Sequence, residues 1–397
     1  MTSLIKGIPM LNDLNEAVRE IQISGIRRFF NLVAGFPDAV QLTLGQPDFP
    51  TPDAAKAAAV KAIEENQTTY TANAGMLSLR KAVSETMQSY GLCYDQNTEI
   101  IVTTGASQAI DVALRTILQP GDEVILPAPV YPGYEPIIRL CGATPVFIDT
   151  RDSDFLLTVD QLEAHFTETT KAVILPYPSN PTGRILSKDD VEKIAAFLHD
   201  KNVFVLADEI YAALCFQNNH VSIASEPRMK EKTIVVQGVS KSHSMTGWRI
   251  GFLLAPEPLA KQMLKVHQYN VACASSISQH AALAALTEAA GAPDQMRSVY
   301  QQRADYVCQR LTAMDLDFVQ PEGGFYVFVG IQKFGLKSED FALQLLEKEN
   351  LALIPGDAFS TYGEGYVRLS FAYSMEALAS GLDRLEAFVT HFASLDR

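Results

Sequence analysis

The sequence is poor in the residues that build metal centres, disulfide frameworks and membrane spans. Its 397 residues hold five cysteines, Cys93, Cys141, Cys215, Cys273 and Cys308, which are odd in number, widely spaced and without a CxxC pair. That pattern argues against a disulfide framework and a thiolate metal site, and all five are expected to be reduced, mostly core residues of a cytoplasmic protein. The seven histidines form no HExxH or similar cluster, so no metal ion is expected. No stretch approaches the ~20 apolar residues of a membrane-spanning helix. Met1 to Asn15, with Lys6, Pro9 and Asp13, lacks the charged start and apolar run of a signal peptide. Positive charge is scarce too: 32 lysines and arginines stand against 46 aspartates and glutamates, a net charge of -14 with a pI near 5.0. Such a surface repels phosphate backbones and anionic headgroups, so neither nucleic acid nor a membrane is an expected partner.

What is present is ordinary globular material, 47% apolar and 20% charged. The chain exceeds the roughly 250 to 300 residues at which a single core stops growing, which implies two units. From about residue 100, short apolar runs alternate with helical stretches, as in a sheet wrapped on both faces. Strands are expected at 99–104, 123–126, 144–148, 171–175, 203–207, 233–237 and 250–254, and a helix at 107–118, giving an α/β unit with a seven-stranded, mostly parallel sheet. After about residue 285 the texture changes to α+β. Helices are expected at 296–314, 338–349 and from Met375, and strands at 324–329, 351–354 and 366–371. A helix over 14–34 is expected to pack with this smaller unit. The division is thus 45–285 for the large unit, and 1–44 with 286–397 for the small one.

The densest chemical signal is residues 238–251, Gly-Val-Ser-Lys-Ser-His-Ser-Met-Thr-Gly-Trp-Arg-Ile-Gly. A lysine that attacks an aldehyde must be unprotonated and presented from a turn, and a cation eight residues on, with a hydroxyl nearby, can clamp a phosphate. Lys241, Ser240 and Arg249 suit those roles. The plain alternative, a solvated lysine with an unrelated arginine, sits badly with the enclosing glycines and the apolar strand before them. Asp208 ends another predicted strand, where ligands of open α/β sheets bind, with Tyr211 three residues on; a helix cap and a half-buried aromatic are their structural readings. Ser179-Asn180-Pro181-Thr182-Gly183 alone is a polar turn. Gly105, Ala106 and Ser107 stand between a strand and a helix, where free N–H groups can hold an anion. Arg368, among apolar strand neighbours, carries a guanidinium fork suited to a carboxylate. Glu209 is read as a structural or salt-bridging residue and His243 as a packing or hydrogen-bonding one.

Residues 238–251 resemble, at every defining position, the lysine-attachment motif of the class I pyridoxal-phosphate (PLP) dependent aminotransferases of fold type I. Other motifs follow in the expected order over essentially the whole chain. The resemblance implies PLP as cofactor, a fold type I transferase architecture, and two half-reactions with ping-pong kinetics between an amino acid and a 2-oxo acid. It implies covalent attachment through Lys241, a partner for the pyridine nitrogen in Asp208, and contacts to the ring oxygen from Tyr211 and Asn180. Tyr131 would stack on the ring, and Gly105, Ala106, Ser107, Ser240 and Arg249 would cradle the phosphate. Arg368, Asn180 and Gly45 would hold substrate. Tyr70 matches a tyrosine that reaches the phosphate of a neighbouring subunit, which implies a homodimer with shared sites. Residues 23–27, 131–136, 267–270 and 359–365 look like N-acetyl-L,L-diaminopimelate aminotransferases, which implies that donor, 2-oxoglutarate as acceptor and a place in lysine biosynthesis. Gly25 and Ile26 are candidates to lie over the substrate side chain, although apolar entry of a helix explains them equally well. A broad aspartate or aromatic aminotransferase and a carbon-sulfur β-lyase would share these motifs. A ligand-sensing domain of a transcription regulator would require an N-terminal DNA-binding domain, for which the match leaves no room.

Overall fold

The computed structural model describes residues 13–217 and 220–395. The expectation that Met1 to Asn15 carries no signal peptide therefore falls, up to residue 12, outside the described residues, as do the extreme ends of the expected small unit. A two-residue strand, β1 (Val40–Gln41), precedes a seven-stranded sheet made of β2 (Ile100–Thr103), β3 (Glu123–Ala128), β4 (Thr144–Asp149), β5 (Thr170–Leu175), β6 (Phe204–Asp208), β7 (Thr233–Gly238) and β8 (Gly251–Leu254). Their order is β2-β8-β7-β6-β5-β3-β4. Only β8 runs against its neighbours.

Strands buried on both faces read as continuous apolar runs, and alternate residues here feed two different cores. Ile100, Val102, Val173, Val205 and Val235 join one cluster, while Ile101, Ile174, Leu206, Ile234 and Val236 join the other. The carboxyl ends of β2, β3, β5, β6 and β7 share one edge. Because β8 is antiparallel, its starting Gly251 lies at that same edge, paired with Gly238 and Thr103, and brings Arg249 with it.

The C-terminal part builds a four-stranded sheet, β12-β13-β10-β9, from β9 (Phe318–Val319), β10 (Tyr326–Gly330), β12 (Ile354–Pro355) and β13 (Tyr366–Ser370). Helices Ala292–Ala313, Ser338–Glu349 and Met375–Leu395 accompany it. The strand expected over 351–354 is divided: β11 (Leu351–Ala352) pairs in parallel with β1, whereas β12 pairs with β13.

The helix expected over 14–34 is also two pieces. Glu16–Glu20 buries nothing and lies against helix Tyr134–Leu140 of the large sheet, whereas Gly25–Val33 buries Phe29 and Val33 beside Phe328, Ile354 and Phe359. Two different packing partners demand a break, which falls at the extended Ile21. The cysteines are free, as expected, but only Cys215 and Cys308 are buried, and Cys93 is exposed. Among the described residues no helix is long and apolar enough to cross a membrane, and no group of three or more histidine, cysteine, aspartate or glutamate residues is placed to hold a metal ion.

Candidate active site

The shared strand edge forms one wall of a cavity of about 360 Å³ lined by Asp208, Tyr211, Ser240, Lys241, Asn180 and Arg368, among others. Lys241 stands on a one-turn helix, Val239–Ser242, that begins where β7 ends. Its Nζ donates to the Gly45 carbonyl at 2.5 Å. Burial and the charges of Arg368 and Arg249 lower its pKa to about 8, with Asp208 pulling the other way. An amine with that acidity supplies a substantial neutral, nucleophilic fraction near neutrality. Asp208 is the last residue of β6 and is 7% exposed. Its carboxylate accepts from the Tyr134 hydroxyl at 2.6 Å and from the Ile210 N–H at 3.3 Å. Burial pushes this carboxyl up, and those two bonds oppose the rise. The Tyr211 and Tyr326 hydroxyls lie 3.1 Å apart, and burial, then Tyr326, holds the Tyr211 phenol well above its ordinary range.

Beside Lys241 the wall becomes suited to an anion. Gly105 opens helix Gly105–Ile117 with φ +76, and a β-carbon there would collide with the Arg249 guanidinium. A β-carbon on Gly251 would strike the backbone of Gly105 and Ala106. Glycine at both positions is what lets the helix start and Arg249 approach each other. Thr104 contributes no side-chain cap, so the first-turn N–H groups are available to another acceptor. Ala106, Ser107, Ser240 and Arg249 all line the cavity at this end.

The opposite wall comes from the smaller sheet. Arg368 sits in β13 directly across from Phe328 and Ile354, and is 2% exposed. It donates to Asn180 Oδ1 at 2.8 Å and to the Thr43 carbonyl at 2.7 Å, and its guanidinium lies 4.3 Å from the Tyr326 ring centre. Its Nε is buried without a hydrogen-bond partner, and the partners of its other two nitrogens among the described residues are an amide oxygen and a backbone carbonyl, not a carboxylate. A buried cation whose acceptors among the described residues are all neutral is costly alone, and an anionic ligand would offset that cost.

The structure gathers most of the sequence-predicted residues here. Tyr131 is at the rim, 37% exposed and edge-on to Tyr134, and Ile26 also lines the cavity. Gly25 does not line it: the residue is pressed against Ala358 and has no space for a side chain. Tyr70 is 87% exposed and lies outside the lining. Glu209 faces away from the cavity, buried against Ser222 at 2.5 Å and His220 at 3.2 Å. Sequence reasoning missed Tyr134, Tyr326 and Thr43. They reach their partners across 74, 115 and 325 positions respectively, and no local spacing announces such contacts.

The class I and II aminotransferase family model matches residues 37–385. The chain belongs to the class I and II aminotransferases. It is 59% identical, over 95% of each chain, to a Bacillus subtilis protein described as a "Probable N-acetyl-LL-diaminopimelate aminotransferase". It is 38% identical to the aromatic-amino-acid aminotransferase 2 of Thermococcus litoralis over 94% of this chain and 97% of the relative. Among solved structures, the Thermus thermophilus aspartate aminotransferase with maleate is similar at a TM-score of 0.90 and 32% identity, covering 94% of this chain and 99% of that one. Class I aminotransferases depend on PLP, and this chain is a PLP-dependent aminotransferase. The cavity suits that cofactor: it offers a buried carboxylate at a strand end, a lysine of lowered pKa, and a cation beside uncapped helix N–H groups that only glycine allows so close.

Proposed function

We propose that this aminotransferase takes the amino group of N-acetyl-L,L-diaminopimelate and passes it to 2-oxoglutarate, within lysine biosynthesis in the cytoplasm. PLP, when bound, supplies a ring that delocalises the charge left on the substrate α-carbon when its proton is removed. Lys241 would hold the cofactor covalently, and its neutral amine is the group that would take the proton from the substrate α-carbon. Asp208, oriented by Tyr134, would keep the ring nitrogen protonated. Tyr211 and Asn180 would donate to the ring oxygen, and Tyr131 would cover the ring. Ser107, Ser240, Arg249 and the backbone of Gly105 and Ala106 would hold the phosphate. Arg368 captures the α-carboxylate of donor and acceptor in turn, with Asn180 and Gly45 beside it. One carboxylate site serving both substrates requires the first product to leave before the second substrate enters, which is ping-pong order.

The observation that carries this reading is Arg368, buried and, among the described residues, without a counter-ion in the cavity that Lys241 also lines. The 59% identity to the Bacillus subtilis relative supports the choice of donor. Tyr70, exposed and outside its own chain's cavity, supports a homodimer in which it serves the neighbouring site. The working division remains 45–285 for the large unit and 1–44 with 286–397 for the small one.

The test is a donor panel assayed with 2-oxoglutarate. Turnover of N-acetyl-L,L-diaminopimelate at a kcat/KM well above those of aspartate and phenylalanine is expected. Preference for aspartate or phenylalanine would overturn the donor, and acceptor-independent release of pyruvate from cystathionine as the main activity would replace the reaction by a β-lyase.

A further inference from the structure

We propose that Arg27 reads the distal carboxylate of the amino donor, so that the pocket selects long dicarboxylic amino acids; this rests on the donor reading above. Such a donor carries one carboxylate on the reacting α-carbon and a second at its acetylated end. Three cations line the cavity. Arg368 is fixed between Asn180 and Thr43 for the first carboxylate, Lys241 bonds the Gly45 carbonyl, and Arg249 stands against Gly105 at the phosphate end. Among the described residues the lining holds no fourth cation for the second carboxylate, which would then be met at the mouth.

The N-terminal helix supplies one there. Helix Gly25–Val33 is fixed at its start by the contact of Gly25 with Ala358, and along its length by buried Phe29 and Val33. That anchoring sets Ile26 into the cavity lining and leaves Arg27 beside it, exposed. Arg27 has no ion-pair or hydrogen-bond partner among the described residues. The next residue is differently placed, since the charge of Arg28 acts on Asp357. Tyr131, 37% exposed, lines the same cavity as Ile26, and there burial and the charge of Asp208 push the phenol up while Arg249 and, least of those acting on it, Arg27 oppose the rise. Arg27 and Tyr131 are therefore electrostatic neighbours at the rim. A guanidinium fork is the side chain best matched to a carboxylate, and holding it unpaired costs little in water.

The decisive comparison uses two donors that differ by one group. Nε-acetyl-L-lysine is N-acetyl-L,L-diaminopimelate without its distal carboxylate. In the wild-type holoenzyme the dicarboxylic donor should be preferred about tenfold in kcat/KM, between the strength of a solvated ion pair and that of a charge-assisted bond. Arg27→Gln should remove most of that preference by raising KM for the dicarboxylic donor alone, with kcat and the Nε-acetyl-L-lysine constants unchanged. Arg27→Lys should restore part of it, and added salt should shrink it in the wild type and in Arg27→Lys but not in Arg27→Gln. An unchanged preference in Arg27→Gln, with a normal melting curve, would overturn the role of Arg27 and leave the donor reading standing. If the wild type does not use N-acetyl-L,L-diaminopimelate, the donor reading fails and inhibition by two seven-carbon acids decides on Arg27. Tighter inhibition by pimelate than by heptanoate, lost in Arg27→Gln, supports the role. No discrimination in the wild type, or discrimination kept in the variant, overturns it.

Discussion

The two walls of the cavity are built in different ways. On the sheet wall, Asp208, Lys241 and the Gly105 turn sit at or just beyond strand ends, so the hydrogen-bond ladder that registers β6, β7 and β8 also registers the reactive groups. On the other wall, Arg368 comes from β13, Thr43 from the segment after β1, and Ile26 from the N-terminal helix, joined by contacts spanning up to 325 positions. The first wall is set by one sheet's backbone, whereas the second is assembled from separate segments. Chemistry placed on the first and recognition placed on the second would let donors change while the reaction stays. The relatives fit that division, since proteins named for diaminopimelate, aromatic amino acids and aspartate align with nearly the whole chain.

The sharpest way to break the comparison is to damage each wall separately. Lys241→Ala would remove the proposed covalent link and proton carrier from the sheet wall. Turnover should fall by at least about a thousandfold, the upper range for losing a positioned acid-base group, and the visible absorbance of covalently held cofactor should vanish. Retention of both would mean that the sheet wall does not do the chemistry. Arg368→Leu strikes the other wall. KM should rise on the order of ten- to a hundredfold for every α-amino acid, as expected for one charge-assisted bond, with kcat largely kept at saturation. An effect confined to one donor would move Arg368 to the side chain.

Smaller changes sharpen the contrast. Tyr134→Phe removes a donor from the Asp208 carboxylate, at a cost of about 1 to 1.5 kcal/mol and so about five- to tenfold in kcat. The sign of its pH effect follows from the geometry. Burial pushes the Asp208 carboxyl up and the Tyr134 bond opposes it, so losing that bond should move the acid limb of the pH profile to higher pH. A limb that stays in place or moves lower would detach Tyr134 from the chemistry. Subunit mixing gives a gain rather than a loss. If the proposed homodimer shares its sites, the Lys241→Ala and Tyr70→Ala proteins, allowed to exchange, should regain up to about half the wild-type activity per heterodimer, because one of the two sites would then be intact. With exchange verified and Tyr70→Ala impaired, no recovery would place Tyr70 in its own chain's site.

The sheet wall was far more legible in the sequence than the wall facing it. Strands buried on both faces leave unbroken apolar runs, and turns at their ends leave glycine, proline and hydroxyl residues at readable spacings, which is how residues 238–251 and Gly105 stood out. Tyr134 was not legible as a partner of Asp208, because a contact between a helix after β3 and the end of β6 exists only once the sheet is ordered. The break between the two N-terminal helices was hidden for a similar reason. Each piece satisfies a different packing partner, and the intervening Ile21 to Ser24 contains neither proline nor glycine to mark the stop. The division of β11 from β12 likewise follows from β1, three hundred positions away, claiming the first of them.

The central claim is that Lys241, at the end of β7, is where the cofactor is covalently held. Borohydride reduction of the holoenzyme, followed by proteolysis and mass spectrometry, reads that residue directly. A single pyridoxyl-phosphate adduct per chain on the peptide containing Lys241 is the predicted result. An adduct on another lysine, or none in a protein that retains bound cofactor and activity, would contradict the account.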